Sequence, residues 1–274
     1  MARAAKQTRR KRRKDAPRSG RCPVCKRTFR QPARGRRKRY CTNAHRNVAY
    51  RRRKGEGLRR GLVRLVEADA RAFLASLPDE CVDLIVTDPP YEFNRGGQYF
   101  PRWFPDLPDE VWPEILAELY RVLAINAHAY IFCDWRTQRI FEDAAEGAGF
   151  RVGKRIVWDK GSPSLGGTWR SQTELILFLE KGNRPGNFKN RGNALHAARV
   201  ARGYPTEKPV RILKALISQS SLSGELMLDP FCGSGSTGRA ARALGRRALL
   251  CDVDAGFAAG RLRLGIGELE GAEA

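Results

Sequence analysis

The 274-residue sequence predicts an α/β domain, a mixed sheet covered by helices on both faces, behind a strongly basic N-terminal arm. Three observations predict it. From residue 62 onward, short apolar segments alternate with amphipathic helical patterns. One segment, "VDLIVTD" at 82–88, is apolar over most of its length, as a strand buried on both faces must be. Near the C-terminus, "LMLDPFCGSGSTGRAARAL" has the order strand, glycine loop, helix.

Taken in order, "LVRLVEAD" (62–69) reads as a strand and "ARAFLASLP" as a helix, followed by the buried strand 82–88. "VWPEILAELYRVLA" (111–124) carries an apolar stripe at helical spacing, and "AYIFCDW" (129–135) is the next strand. "TQRIFEDAAEGAGF" is helical. "RVGKRIVWDK" and "ELILFLEKG" are strands with no helix between them, which predicts an antiparallel pair late in the sheet. The connection "GSPSLGGTWRSQT" and the later "NRPGNFKNRGNALHAARVARGY" are loops. Loops this long in a compact domain point to binding or gating. "PVRILKALISQSS" is a helix, "ELMLDP" a strand, "RAARALG" a helix and "RRALLCDVD" the last strand.

Charge is segregated along the chain. Residues 1–60 hold 25 Lys and Arg against two acidic residues, whereas the rest balances at 27 of each. Such an arm repels itself, has few apolar side chains with which to fold, and attracts a polyanion, so it predicts nucleic-acid binding rather than a merely solvated tail. Within it, Cys22 and Cys25 stand two residues apart, and after fifteen further residues Cys41 and His45 are spaced by one helical turn. Two thiolates from a knuckle and a Cys/His pair from a helix make a closed tetrahedral set for a structural zinc ion, which would supply folding free energy that a small segment cannot gain by burial. The alternative is unpaired surface thiols with His45 incidental. The segment 21–53 loosely resembles short bacterial zinc-binding knuckles. No run of about twenty apolar residues predicts a membrane span, and the basic N-terminus lacks the apolar core of a signal peptide. The seven cysteines therefore read as reduced thiols or metal ligands, and the expected location is cytoplasmic, associated with the nucleoid.

Two stretches carry candidate chemistry. Gly233 and Gly235 permit a tight turn and close approach of a ligand to the backbone, and Asp252, seventeen residues past Gly235 at the end of the next strand, offers a carboxylate to ribose hydroxyls. No Lys follows the glycines, so a triphosphate loop is excluded, and an adenosine-bearing cofactor without a run of phosphates fits better. The second stretch is "LIVTDPPYEF", in which a buried strand runs into Asp88, Pro89, Pro90 and Tyr91. By itself this is also an ordinary strand-terminating turn.

In their order along the chain, Asp88-Pro89-Pro90-Tyr91, Thr206-Glu207-Lys208-Pro209 and Asp229-Pro230-Phe231-Cys232-Gly233-Ser234-Gly235 resemble the DNA amino-methyltransferases that act on adenine N6 or cytosine N4. They resemble in particular the group in which the catalytic tetrapeptide precedes the cofactor loop. The resemblance covers residues 62–265 and implies a circularly permuted Rossmann-like methyltransferase fold, with a seven-stranded mixed sheet containing one antiparallel strand. It implies S-adenosylmethionine as cofactor, held by Asp69, Thr206, Lys208, Asp229, Phe231, Gly233, Gly235 and Asp252. The family's usual His before its Pro-Thr-Glu-Lys-Pro is Tyr204 here. Asp88 and the Pro89 carbonyl would accept hydrogen bonds from the exocyclic amine, the prolines would fix the backbone, and Tyr91 would stack on a base rotated out of the duplex. Asp at the first position resembles the adenine-modifying members more than the cytosine-modifying ones, which more often carry Ser.

The expected function is adenine-N6 methylation of double-stranded DNA. The alternatives are cytosine-N4 methylation and a non-catalytic nucleic-acid-binding protein on the same fold. A homodimer and a cognate restriction enzyme are partners the resemblance also raises. The resulting organisation is a disordered basic tail (1–20), a zinc module (21–53), a linker (54–61), a catalytic domain (62–268) and a frayed end (269–274). Within the catalytic domain, 161–203 and the loop at 92–110 would recognise the target, with Arg95, Arg102, Arg170 and Arg191 available for DNA.

Overall fold

The computed structural model describes residues 19–21, 28–31, 63–90, 107–165, 167–201 and 203–267. The chain divides into two units, 1–50 and 51–274. In the first, β1 (Ser19–Arg21) and β2 (Thr28–Arg30) pair antiparallel, with Arg21 opposite Thr28. Ordered backbone thus reaches two residues into the stretch expected as a tail. Cys22, Cys25, Cys41 and His45 lie outside the described residues.

The second unit is built on one sheet. Its strands are β3 (Val63–Glu67), β4 (Val82–Thr87), β5 (Leu123–Cys133), β6 (Arg151–Val152), β7 (Ile156–Asp159), β8 (Thr173–Lys181), β9 (Ala194–His196), β10 (Leu226–Asp229) and β11 (Arg247–Asp252). Their spatial order is β3-β11-β10-β4-β5-β8-β7-β9, with β6 also on β8. The helices are α1 (Ala70–Ala75), α2 (Trp112–Val122), α3 (Gln138–Gly147), α4 (Val210–Ser220), α5 (Ser236–Ala243) and α6 (Gly256–Leu262). The seven strands of the expected sheet are all present. Two short segments, β6 and β9, bring the described sheet to nine strands.

All six residues of β4 are buried, and from Leu84 to Val86, beyond an irregularity near Asp83, the side chains alternate between two cores. Val82 and Ile85 pack with Phe73 of α1, with Trp112, Ile115 and Leu119 of α2 and with Phe141 of α3. Leu84 and Val86 pack with Ile212, Leu213 and Leu216 of α4, with Ala240 and Ala241 of α5 and with Leu262 of α6. Helices therefore cover both faces, as the unbroken apolar run in this strand requires.

The strand directions decide what shares an edge. β3, β11, β10, β4 and β5 are parallel neighbours, so their C-terminal ends lie on one edge of the sheet. β8 runs antiparallel to β5, and β7 antiparallel to β8. The connection from Asp159 to Thr173 consequently stands on that same edge, whereas residues 182–193, after β8, are at the opposite one. The expected single strand around Gly153 is split into β6 and β7 there. The Gly153 amide donates to the Phe178 carbonyl at 2.7 Å, and a Cβ at this position would lie 2.6 Å from the Phe178 ring, so the close approach interrupts the ladder and admits only glycine. The strand expected at 129–135 begins earlier, at Leu123, directly on the end of α2.

No helix among the described residues is long and apolar enough to cross a membrane. Ile85 is fully buried in the central strand. Ile85→Ala is expected to lower unfolding stability by about 2–5 kcal/mol, read from urea denaturation, with little change in the dependence on urea.

Candidate active site

The catalytic-looking turn and the glycine loop are neighbours because β4 and β10 are. Met227 pairs with Leu84 and Leu228 with Ile85, so both chains leave the sheet side by side. The Thr87 hydroxyl donates to Asp229 Oδ1 at 2.8 Å, linking positions 142 residues apart, and the Phe231 amide donates to the same oxygen at 3.2 Å. Burial pushes the Asp229 carboxyl up to about 7, although hydrogen bonds from Thr237, Thr87 and the Phe231 amide work the other way and the nearby Asp88 reinforces the rise.

Asp88, immediately beyond β4, is mostly buried and receives a hydrogen bond on Oδ2 from Lys208 Nζ. Lys208 is itself buried, its ammonium lies over the Phe132 ring at 5.3 Å, and Glu174 Oε2 stands 3.5 Å from it. The other Glu174 oxygen is 3.5 Å from Lys160 Nζ. Asp88, Lys208, Glu174 and Lys160 form a row of alternating charge. The remaining Asp88 oxygen, Oδ1, is buried and has no hydrogen-bond partner among the described residues. Burial pushes the Asp88 carboxyl up to about 6, with Lys208 opposing the rise and Glu174 adding to it. Burial works against the Lys208 charge, but the carboxylates of Asp88 and Glu174 outweigh it and hold the ammonium above its ordinary value.

In the glycine loop, Gly233 and Gly235 have φ of 46° and 70°, the left-handed region that other residues enter only with strain. A Cβ on Gly233 would fall 3.0 Å from the Tyr204 ring, and one on Gly235 2.9 Å from Leu262 Cδ1. The Gly233 amide donates to Asp252 Oδ2 at 2.7 Å, and the Asp254 amide to Asp252 Oδ1 at 3.2 Å. A carboxylate has about four acceptor positions, so Asp252 shapes the loop and keeps capacity for hydroxyl donors. Burial raises the Asp252 carboxyl as well. Glu207, buried in the segment that leads into α4, accepts from Arg239 of α5 and, at 2.8 Å, from Arg261 of α6. This clamp seats Tyr204, Thr206 and Lys208 beside the loop.

Most of the predicted set therefore converges on one edge: Asp88, Pro89, Pro90, Thr206, Lys208, Asp229, Phe231, Gly233, Gly235 and Asp252. Pro89 lines a small apolar gap under the turn together with Trp112, Ile115 and Phe231. Asp69 reaches the same edge at the end of β3, two strands beyond β10, where the Ala68 amide donates to the Asp252 carbonyl at 3.0 Å. Its Oδ1 accepts from the Arg71 and Ala72 amides as the N-cap of α1, a structural duty the sequence reading did not assign. Tyr91, Arg95 and Arg102 lie outside the described residues. Arg170 is exposed on the catalytic edge. Arg191 is at the opposite one, bonded to the Ala215 carbonyl and Ser218 of α4 and stacked over Phe188 at 4.6 Å.

Sequence reasoning missed Glu174, Lys160, Glu207 and Thr87. Glu174 was visible as an acidic residue opening an otherwise apolar strand, and Glu207 as the acid between Thr206 and Lys208, but no pattern named their partners. Among the described residues, no three His, Cys, Asp or Glu side chains are grouped to hold a metal ion.

A mixed sheet whose glycine loop and Asp-Pro-Pro turn meet at the carboxyl ends of adjacent parallel central strands defines a permuted Rossmann-like methyltransferase fold. The chain belongs to the N6/N4 DNA methylase family, whose pattern matches residues 82–260, and it is a DNA methyltransferase. It is 34% identical over 194 residues to the putative methylase YubD of Escherichia coli (strain K12), covering 67% of this chain and 82% of the relative. It is 28% identical over 254 residues to the DNA adenine methyltransferase YhdJ of the same organism, covering 75% and 82% respectively. Among solved structures, the M1.HpyAVI–SAM complex superposes with a TM-score of 0.58 at 23% identity, over 73% of this chain and 98% of that one. The cytosine-N4-specific PvuII DNA methyltransferase superposes with a TM-score of 0.60 at 14% identity, over 74% and 86%.

Asp229 gives the pH dependence of stability a definite sign. An unfolded Asp titrates near about 4, whereas the folded one holds its proton up to about 7. The folded state thus binds more protons across this window, and its stability falls as pH rises through it. Asp229→Asn is expected to flatten that decline in denaturation series between these two pH values.

Proposed function

We propose that the chain transfers a methyl group from S-adenosylmethionine to the exocyclic N6 amine of adenine in double-stranded DNA. The observation that carries this reading is the buried, unpartnered Asp88 Oδ1 beside the glycine loop. A buried carboxylate oxygen without a donor is costly unless a ligand supplies one, and an amine is such a donor. The lone pair of an exocyclic amine is delocalised into its ring. Acceptors on its hydrogens, Asp88 Oδ1 and the Pro89 carbonyl, make that pair more available and hold the nitrogen in line. Lys208 occupies Oδ2 and so leaves Oδ1 for the base. With its carboxyl at about 6, Asp88 is ionised at neutral pH and serves as acceptor. The proton lost from nitrogen leaves to water.

The residues present fit the cofactor. Gly233 and Gly235 take the left-handed backbone that shapes the loop, Asp252 has acceptor capacity for ribose hydroxyls, and Tyr204 borders the loop. When bound, S-adenosylmethionine supplies an electrophilic methyl group. Asp at position 88 and the likeness to YhdJ support adenine as the base.

In the arm, Cys22, Cys25, Cys41 and His45 would hold a structural zinc ion. The described hairpin supports this reading, because Arg21 and Thr28 form a paired rung that closes the connection bearing Cys22 and Cys25. The surrounding positive charge adds affinity for DNA phosphates.

Mapping of modified bases in DNA from cells expressing the protein is expected to find N6-methyladenine at a defined site. N4-methylcytosine would reassign the base, and no modification would overturn the reading. Asp88→Asn should lower kcat by about 10²–10³. The wild-type single-turnover rate should fall as pH drops through about 6, where the acceptor is lost by protonation, and the variant should lack that acid limb. The purified protein should contain zinc at one ion per chain, lost in Cys25→Ser; a metal-free wild-type protein would rule the clip out.

A further inference from the structure

Leu165 and Trp169 are each 96% exposed, more than any other large apolar side chain among the described residues. They stand near the tip of the connection between β7 and β8, on the catalytic edge. The base of this connection is held at many points. Beyond the Asp159–Thr173 rung the two sides of the connection stay bonded, the Lys160 amide donating to the Gln172 carbonyl at 3.0 Å and the Ser164 amide to the Ser171 carbonyl at 2.9 Å. Asp159 Oδ1 accepts from the Gly161 amide at 2.8 Å and from Gln172 Nε2 at 2.9 Å, and its Oδ2 is 3.1 Å from His196 Nδ1. The stem is therefore a fixed hairpin, and its tip holds an indole and a leucine in water with Arg170 beside them.

The foot of the hairpin adjoins the reacting carboxylate. Lys160 and Glu174 sit on its two strands, Glu174 meets Lys208, and Lys208 meets Asp88. Above the last β7–β8 rung the chain bends, with Gly161 at φ 76°, and Leu165 and Trp169 stand just beyond the Ser164–Ser171 hydrogen bond.

We infer that this hairpin is the wedge that enters the duplex at the target base, with Trp169 stacking in the space the rotated-out base leaves and Leu165 pressing on the neighbouring step. Rotating a base out leaves two unstacked base faces, and a flat apolar ring recovers part of the lost stacking. A tryptophan in water on a braced hairpin is suited to that use, and Arg170 is placed for an adjacent phosphate. The wedge rests on the methyltransferase reading above and adds to it the residues that open the duplex.

Methyl incorporation should be measured on two duplexes carrying the mapped site, one fully paired and one with an abasic position opposite the target base. Wild type should act on both. Trp169→Ala should lose about ten- to a hundredfold in kcat/KM on the paired duplex and no more than about threefold on the abasic one, where the base leaves the stack at less cost. Trp169→Phe should retain most of the rate, and Leu165→Ala should show the same selectivity more weakly. Equal losses on the two duplexes, or none on the paired one, would overturn the wedge. Inactivity of the wild-type protein on both would instead count against the methyltransferase reading.

Discussion

The parallel pairing of β10 with β4 is the constraint on which the site depends. Met227 opposite Leu84 and Leu228 opposite Ile85 bring two stretches of chain to the same edge, and the Thr87–Asp229 hydrogen bond ties their ends. The register is held from both faces. Leu84 and Val86 belong to the core under α4 and α5, Ile85 to the core under α2 and α3, and a slip of one residue would exchange them. Hydrophobic packing on two sides thus positions a polar turn to which it contributes no chemistry.

Around that turn the protein tolerates an unusual amount of buried charge. Asp88, Lys208, Glu174 and Lys160 alternate in sign, so each ion has an opposite neighbour in surroundings where an isolated one would be neutralised. The row is still incomplete, because among the described residues Asp88 Oδ1 has no donor. The buried pair of Arg184 and Glu225 does the same away from the catalytic edge. Its contact at 2.8 Å joins the segment after β8 to the start of β10; Glu225 Oε2 accepts from both Arg184 and the Leu222 amide, and Oε1 is buried without a partner among the described residues. What sets Asp88 apart is its place, at the end of β4 beside the glycine loop.

The same row of ions joins Asp88 to the connection between β7 and β8. Lys160 and Glu174 flank the foot of that hairpin, so the hairpin and the Asp88 carboxylate share a foundation. The Glu207 clamp does the corresponding work on the cofactor side, fastening the segment around Tyr204 to α5 and α6.

The sequence by itself determined seven strands and five helices of the catalytic unit, though neither β9 nor α6, and with them the glycine loop, the Asp-Pro-Pro turn and the segregation of charge. Each is written in a local signal: a period of 2 or 3.6, a residue that alone tolerates a given φ, or a run of one sign. Only the tertiary structure decided which groups meet. It gave Asp69 the capping of α1, carried Arg191 to the far edge and Arg170 to the near one, and brought Glu174 and Lys160 to Lys208. Those outcomes follow from strand direction. A single antiparallel strand, β8, reverses the edge on which each flanking loop emerges, and no side chain in those loops encodes that reversal.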